Sequence, residues 1–279
     1  MAHRRWILWV TLVVGLALLA AACAPVTPAA PAPAEEAAAP AEEATPEEAP
    51  KEEAPAERIT IKVGMNAEYP PFEYVDESGQ IVGFDVDLIN ALAERAGFNV
   101  ELVNTRWDGI FAALAAGEFD VVCSAVTITE ERAQIVDFTD PYFNAGQSIA
   151  VLESTTDIQS VADLKGKRVG VQLGTTGDIE ASKLEGVEVK RYEEITLAFQ
   201  ALANGDVDAV VNDTPTSAAI IKANPEIKAR IVGEPFTDEF YGIAVNKQKP
   251  EIRDALNRAL AEIKADGTYD QIYQKWFGS

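Results

Sequence analysis

The segment FAALAAGEFDVVCSAV, residues 111–126, aligns without gaps on FQALANGDVDAVVNDT, residues 199–214, with identity at seven of sixteen positions. An earlier pair echoes it: KVGMN at 62–66 and RVGVQ at 168–172. Each copy pairs a helical pattern with a strand pattern, so the repeat predicts two related α/β lobes.

The first copy sits in a regular alternation. ITIKVGMN reads as a strand, FDVDLINALAERAG as a helix stopped by Gly97, and NVELVNT as a strand. WDGIFAALAAG then reads as a helix stopped by Gly117, and FDVVCSAVTI as a strand. Strand and helix in alternation predict a mainly parallel sheet flanked by helices in each lobe.

What precedes Arg58 does not belong to that pattern. Arg4 and Arg5 stand before an uncharged, mostly apolar run from Trp6 to Ala22, too short for the roughly 20 residues of a spanning helix. Residues 1–22 therefore read as a secretory signal peptide. The run ends in LAAAC, which resembles a bacterial lipobox, although Ala20 stands where leucine is usual; the resemblance implies an acylated Cys23. The alternative is ordinary A-x-A cleavage that releases a soluble protein. From Ala24 to Glu57 the chain is almost wholly Ala, Pro and Glu, with nine glutamates, one lysine and no aromatic residue. Nothing there repays the entropy of folding, so residues 23–57 read as an anchor cysteine followed by a disordered linker.

Composition excludes several chemistries. Signal cleavage removes His3, the only histidine, and leaves Cys123 as the only cysteine besides Cys23. A histidine-based triad or general base, a Cys/His zinc site and a disulfide scaffold are thereby excluded, and no cofactor or metal is expected. The net charge is −22, and the part from Arg58 onward carries 36 acidic against 20 basic side chains. That balance argues against nucleic acid or anionic headgroups as partners and leaves the lipid as the only membrane contact.

Ligands of open α/β sheets bind beyond the carboxyl ends of the strands. In this sequence those ends are Asn66, Ala125 to Thr127, Gln172 to Thr175, and Asn212 to Asp213. Arg132 lies just past one of them. Thr129 is a fitting N-cap with Glu130 and Glu131 in the first turn, so an arginine in that turn opposes the helix dipole at a cost of about 0.3 to 1 kcal/mol. The arginine and the helix N-terminus both attract an anion, a carboxylate being the natural match for a guanidinium; the bland alternative is an exposed pair with Glu130 or Glu131. Asp213, followed by Thr214 and Pro215, fits an N-cap, yet it occupies the repeat position of Ala125. One lobe thus offers an anion receptor and the other a carboxylate, the pairing that a zwitterion requires. Tyr69 in AEYPPFEY and Trp107 in NTRWDG lie in connections near strand ends. The loop GTTG, 174–177, lacks a phosphate-cradle pattern but can supply backbone N–H groups.

With these residues in place, the span from about Ile59 to Gly278 resembles the polar amino-acid family of periplasmic solute-binding proteins of ABC importers. The matching segments are YPPFEY, IVGFDVDL, TITEERAQIVDFTDPYF, DLKGKRVGVQLGTTG, NDTP, YGIAV and DGTYDQIYQKWFG, in that order. The resemblance implies a two-lobed fold, an extracytoplasmic location on the outer face of the membrane, a monomer, ABC permease transmembrane subunits as partners, and no catalysis. It implies that Arg132 clamps the ligand α-carboxylate, that Thr127 contacts carboxylate and ammonium, and that the Ala125 carbonyl accepts from the ammonium. Asp213 corresponds to the aspartate that pairs with the ammonium, Thr176 to a backbone N–H on the carboxylate, and Tyr69 and Trp107 to the aromatic pair around the side chain. Thr175 belongs to the same rim. Asn66 and Gln172 depart from the family, which usually carries an acid at the first position and, in the glutamine binder, lysine at the second. Two amides suit an uncharged polar side chain, so glutamine is favoured and arginine stands second, with Glu68, Glu73 or Glu239 as its counter-charge.

The resemblance further implies crossing strands at 146–151 and 240–245. Lobe 1 is then 58–147 plus 244–279 and lobe 2 is 148–243. The alternative function is an enzyme resembling cyclohexadienyl dehydratases on the same fold, with Asp178 or Glu180 as its acid.

Overall fold

The structure, a computed structural model, describes residues 58–278; the expected signal peptide, Cys23 and the linker lie outside the described residues. Two five-stranded sheets form the two lobes. In the first, Asn99–Asn104 and Val121–Val122 flank Thr60–Met65 in parallel, and Ala244–Val245 then runs antiparallel between Val121–Val122 and Asp137–Phe138. In the second, Glu188–Tyr192 and Ala209–Asp213 flank Arg168–Gln172 in parallel, and Gln147–Leu152 runs antiparallel between Ala209–Asp213 and Ala229–Val232. Four strands of each sheet therefore point one way, and the fifth is the strand that arrives from the other lobe.

The repeat is visible in the pairing. Val63 sits beside Val121 as Val169 sits beside Ala209. Asp120 accepts the backbone N–H of Lys62 at 2.6 Å, and its repeat partner Asp208 accepts that of Arg168 at 2.8 Å. The helices end as their glycines predict: Phe84–Ala96 at Gly97 and Ile110–Ala116 at Gly117, both glycines with φ near +80°. Apolar faces drive the packing, with Leu88, Ile89 and Leu92 of the first helix and Phe199 and Leu202 of Ile195–Asn204 fully buried. At Gly83, before Phe84, a Cβ would lie 2.0 Å from the Phe72 carbonyl oxygen and φ is +144°, so only glycine fits.

Two expectations differ from the structure. The strand FDVVCSAVTI shrinks to Val121–Val122, because beyond Cys123 side chains replace the ladder: Asp85 Oδ2 accepts the Ala125 N–H at 2.7 Å and Ser124 Oγ accepts that of Asn66 at 3.0 Å. Ala125 is turned to φ +46° there. The antiparallel pair on the two connections between sheets is Phe143–Ala145 with Glu239–Tyr241. Residues 147–152 and 244–245 already belong to the sheets.

Candidate ligand-binding site between the lobes

The strand ends of both sheets face one partly enclosed cavity. Its wall contains all ten residues singled out in the sequence: Asn66, Tyr69, Trp107, Ala125, Thr127 and Arg132 from the first lobe, and Gln172, Thr175, Thr176 and Asp213 from the second. Glu73 and Ser124 complete it. The lobes touch around it, Trp107 Nε1 donating to the Gly174 carbonyl at 3.2 Å and Arg106 meeting Glu193 at 2.7 Å.

Arg132 is buried, not paired on the surface. Thr129 caps its helix, accepting the Arg132 N–H at 3.1 Å, and the side chain folds back so that Nη1 donates to the Thr127 carbonyl at 2.8 Å. The guanidinium packs against the edge-to-face pair of Trp107 and Phe111, 5.2 and 4.8 Å from their centroids, a cation–π contact with both rings. Its Nη2 is buried without a partner. Burial lowers its pKa to about 10, against the charges of Asp213 and Glu239, so it remains a cation at neutral pH.

Asp213 stands at the head of helix Thr214–Ala223 but does not cap it. Its carboxylate turns into the cavity, where Oδ2 accepts from the hydroxyls of Tyr69, at 2.6 Å, and Tyr241, and Oδ1 from Gln147 Nε2. Burial, then the charge of Glu239, pushes it up to about 6, while the three hydrogen bonds act in the opposite direction.

The two amides at the far end are bonded to each other. Gln172 Nε2 donates to Asn66 Oδ1 at 2.9 Å and to the Glu193 carbonyl at 3.2 Å, and Asn66 Nδ2 donates to the Thr105 carbonyl at 3.3 Å. Three of the four amide hydrogens are thus held by the protein, and the pair offers mainly oxygen lone pairs. The amides are therefore not the balanced donor and acceptor set that the sequence implied.

Of the three acids named as counter-charges, Glu73 is fully buried beside Asp85. Burial, then the Asp85 charge, pushes its pKa well above the ordinary glutamate value. Glu239 accepts from three hydroxyls, those of Thr127, Thr176 and Thr237. Glu68 is raised by burial and by the Glu194 charge. Asp178 and Glu180 lie outside the cavity wall: Asp178 pairs with Arg191 at 2.9 Å and Glu180 with Lys183 at 2.7 Å.

Sequence reasoning missed Phe111, Gln147 and Tyr241, and named Glu239 only as a counter-charge for the ligand side chain. Phe111 stands four residues after Trp107, a spacing that signals one helical face. The other three fell in or beside segments taken only as connections between lobes, and no local signal distinguishes them. Among the described residues no group of three His, Cys, Asp or Glu side chains is placed to hold a metal ion, and no helix is long and apolar enough to cross a membrane.

Two similar α/β lobes closing a polar cavity that carries a buried guanidinium on one side and a carboxylate on the other define a solute-binding protein. Residues 61–279 match the profile of the bacterial extracellular solute-binding proteins, family 3, and the chain belongs to that extracytoplasmic family. It is 42% identical over 221 residues to a probable histidine-binding protein of Neisseria gonorrhoeae, covering 77% of this chain and 82% of the relative. Among solved structures, an ancestral arginine-binding protein bound to glutamine superposes with a TM-score of 0.77 at 50% identity, over 80% of this chain and all of that one. An ancestral arginine-binding protein bound to arginine gives 0.77 and 50% over 79% of this chain and 99% of that one. These relatives are amino-acid-binding proteins.

Proposed function

We propose that this protein is the receptor of an amino-acid ABC importer, which closes its lobes on a polar L-amino acid and delivers it to the transmembrane permease subunits. The observation that carries the reading is the buried, unpartnered Arg132 Nη2, in the wall of a cavity whose opposite lobe supplies Asp213. A desolvated guanidinium N–H without a partner costs free energy that a bound carboxylate would recover. Thr176, at the first position of its helix, adds N–H groups that an α-helix leaves without intrahelical partners. Because Arg132 and Asp213 come from different lobes, a zwitterion between them favours the closed state.

The side-chain end, with three of its amide hydrogens committed, favours a ligand whose side chain terminates in N–H donors. Glutamine and arginine both do. Arginine gains over the sequence ranking, since its five donors match a cluster of lone pairs, and ancestral relatives bound to each of the two at 50% identity support testing both first. The antiparallel pair at 143–145 and 239–241 serves as the hinge, with lobe 1 formed by 58–147 plus 244–279 and lobe 2 by 148–243. Acylated Cys23 and the acidic linker tether a monomer to the outer face of the membrane, and mass spectrometry of the membrane fraction tests the acyl chain directly.

The decisive measurement is thermal stability of the purified protein with each of the twenty amino acids. A ligand at a hundred times its Kd adds about 2.7 kcal/mol. Stabilisation by glutamine or arginine supports the reading, and stabilisation by none of the twenty contradicts it.

A further inference from the structure

Glu239 is buried, 8% exposed, in the strand Glu239–Tyr241 on the connection between the lobes. Its partners are three hydroxyls. Oε2 accepts from Thr127 Oγ1 at 2.8 Å and from Thr176 Oγ1 at 2.7 Å, and Oε1 accepts from Thr237 Oγ1 at 2.9 Å. Thr127 belongs to the first lobe and Thr176 to the second, so the carboxylate gathers one hydroxyl from each.

A hydroxyl has a single hydrogen. Thr127 and Thr176 both commit theirs to Glu239, so their oxygens offer only lone pairs to anything else. Thr176 Oγ1 already accepts from Gln147 Nε2 at 3.1 Å. Thr127 Oγ1, in the cavity wall, is left as an acceptor that cannot donate. The arrangement is held from behind as well. Thr237 Oγ1 accepts the Gln147 backbone N–H at 2.8 Å and gives its own hydrogen to Oε1, which can only accept.

We propose that Glu239 is a positioning residue for specificity: by drawing the hydroxyl hydrogens of Thr127 and Thr176 to itself, it makes the cavity select a ligand carrying an α-ammonium over one carrying an α-hydroxyl. An ammonium has only hydrogens to give and meets an oxygen that can only accept. An α-hydroxyl can donate or accept and gains less from that fixed polarity. The inference rests on the amino-acid-receptor reading and adds to Asp213 a second carboxylate, one that touches no ligand.

The variant Glu239→Gln tests it. Thr237 keeps an oxygen on the Oε1 side, so the new NH2 group takes the place of Oε2 and donates to the two threonines, whose hydrogens then turn away from residue 239. Affinities are measured by competition calorimetry for L-arginine and L-glutamine and for their α-hydroxy analogues, 2-hydroxy-5-guanidinopentanoic acid and 2-hydroxyglutaramic acid. For the amino acid that the unaltered protein binds, E239Q is expected to narrow the preference for the amino over the hydroxy compound at least fivefold. A structural role alone would weaken both compounds and leave their ratio unchanged, so a narrowing of less than fivefold overturns the proposal. Should E239Q not fold, T127V decides: it removes the accepting oxygen, must narrow the same ratio at least fivefold, and refutes the proposal if it does not. Failure of the unaltered protein to bind any of the twenty amino acids refutes the receptor reading itself, a separate result.

Discussion

The Tyr69 hydroxyl of one lobe donates to the Asp213 carboxylate of the other across 2.6 Å. The same hydroxyl lies 2.9 Å from Asn212 Oδ1, so the aromatic wall and the proposed ammonium receptor form one bonded unit when the lobes meet. Tyr69→Phe keeps the ring and removes the bond. Hydrogen bonds to charged groups contribute about 1.5 to 3 kcal/mol, so ligand affinity is expected to fall about tenfold to a hundredfold, measured by calorimetry. An affinity within twofold of the original contradicts a cross-lobe role.

Affinity is expected to depend on pH through Asp213. Burial, ahead of the Glu239 charge, raises its pKa to about 6, so the folded state disfavours the carboxylate. The unfolded chain releases this proton near the ordinary value of about 3.9 and the folded chain only near 6. The contribution of this group to the stability of the free protein therefore falls as pH rises through that window. Ligand binding has the opposite sign, because an ammonium pairs with the ionised form. Affinity should drop about tenfold from pH 7 to pH 5. Asp85, also pushed up to about 6 by burial, holds the Ala125 N–H; a weak and flat profile in Asp213→Asn assigns the dependence to Asp213.

Arg132→Lys should not rescue binding. A lysine has one nitrogen and no planar fork, so it cannot bond the Thr127 carbonyl with one nitrogen and present a second to the cavity as Arg132 does. Removing one partner of a buried charge pair costs about 2 to 5 kcal/mol, so both Arg132→Lys and Arg132→Ala are expected to lose at least about thirtyfold in affinity for every amino acid. Binding by Arg132→Ala at the original strength would overturn the proposed carboxylate clamp.

Asn66→Asp changes preference among ligands. It keeps an oxygen for Gln172 Nε2, gives up the bond to the Thr105 carbonyl, and adds a charge to an end already rich in acceptors. The ratio of arginine to glutamine affinity is expected to rise about tenfold, the effect of about 1.4 kcal/mol. An unchanged ratio contradicts assigning the side-chain subsite to Asn66 and Gln172.

Gly177→Ala probes the support beneath the site. Its Cβ would lie 2.9 Å from Gln147 Oε1 and 3.0 Å from the Val211 carbonyl oxygen. Overpacking of this kind costs about 1 to 3 kcal/mol, and the displaced Gln147 would loosen its hold on Asp213. Thermal denaturation should show a lower Tm, and calorimetry a weaker ligand.

By itself the sequence determined the two lobes, because a repeat of helix and strand periodicity is a local pattern that packing must honour in both copies. It also determined the rim of the cavity: residues that end parallel strands are brought together by the topology, which is why Asn66, Ala125, Gln172 and Asp213 line one cavity from its two sides. Arg132 was legible as a charge misplaced in a helical first turn, and its Thr129 cap formed as the local rule requires.

Only the tertiary structure decided how the polar atoms point. Asn66 and Gln172 read as two adaptable amides until the carbonyls of Thr105 and Glu193 took their hydrogens, contacts that span 39 and 21 residues of chain. Gln147, Glu239 and Tyr241 lie in or beside segments whose pattern marks only a passage between lobes; Gln147 and Tyr241 reach Asp213 across 66 and 28 residues, and Glu239 reaches Thr127 and Thr176 across 112 and 63. The direction of a hydroxyl or an amide is set by which partners surround it in space, and side-chain periodicity carries no record of partners that distant in sequence.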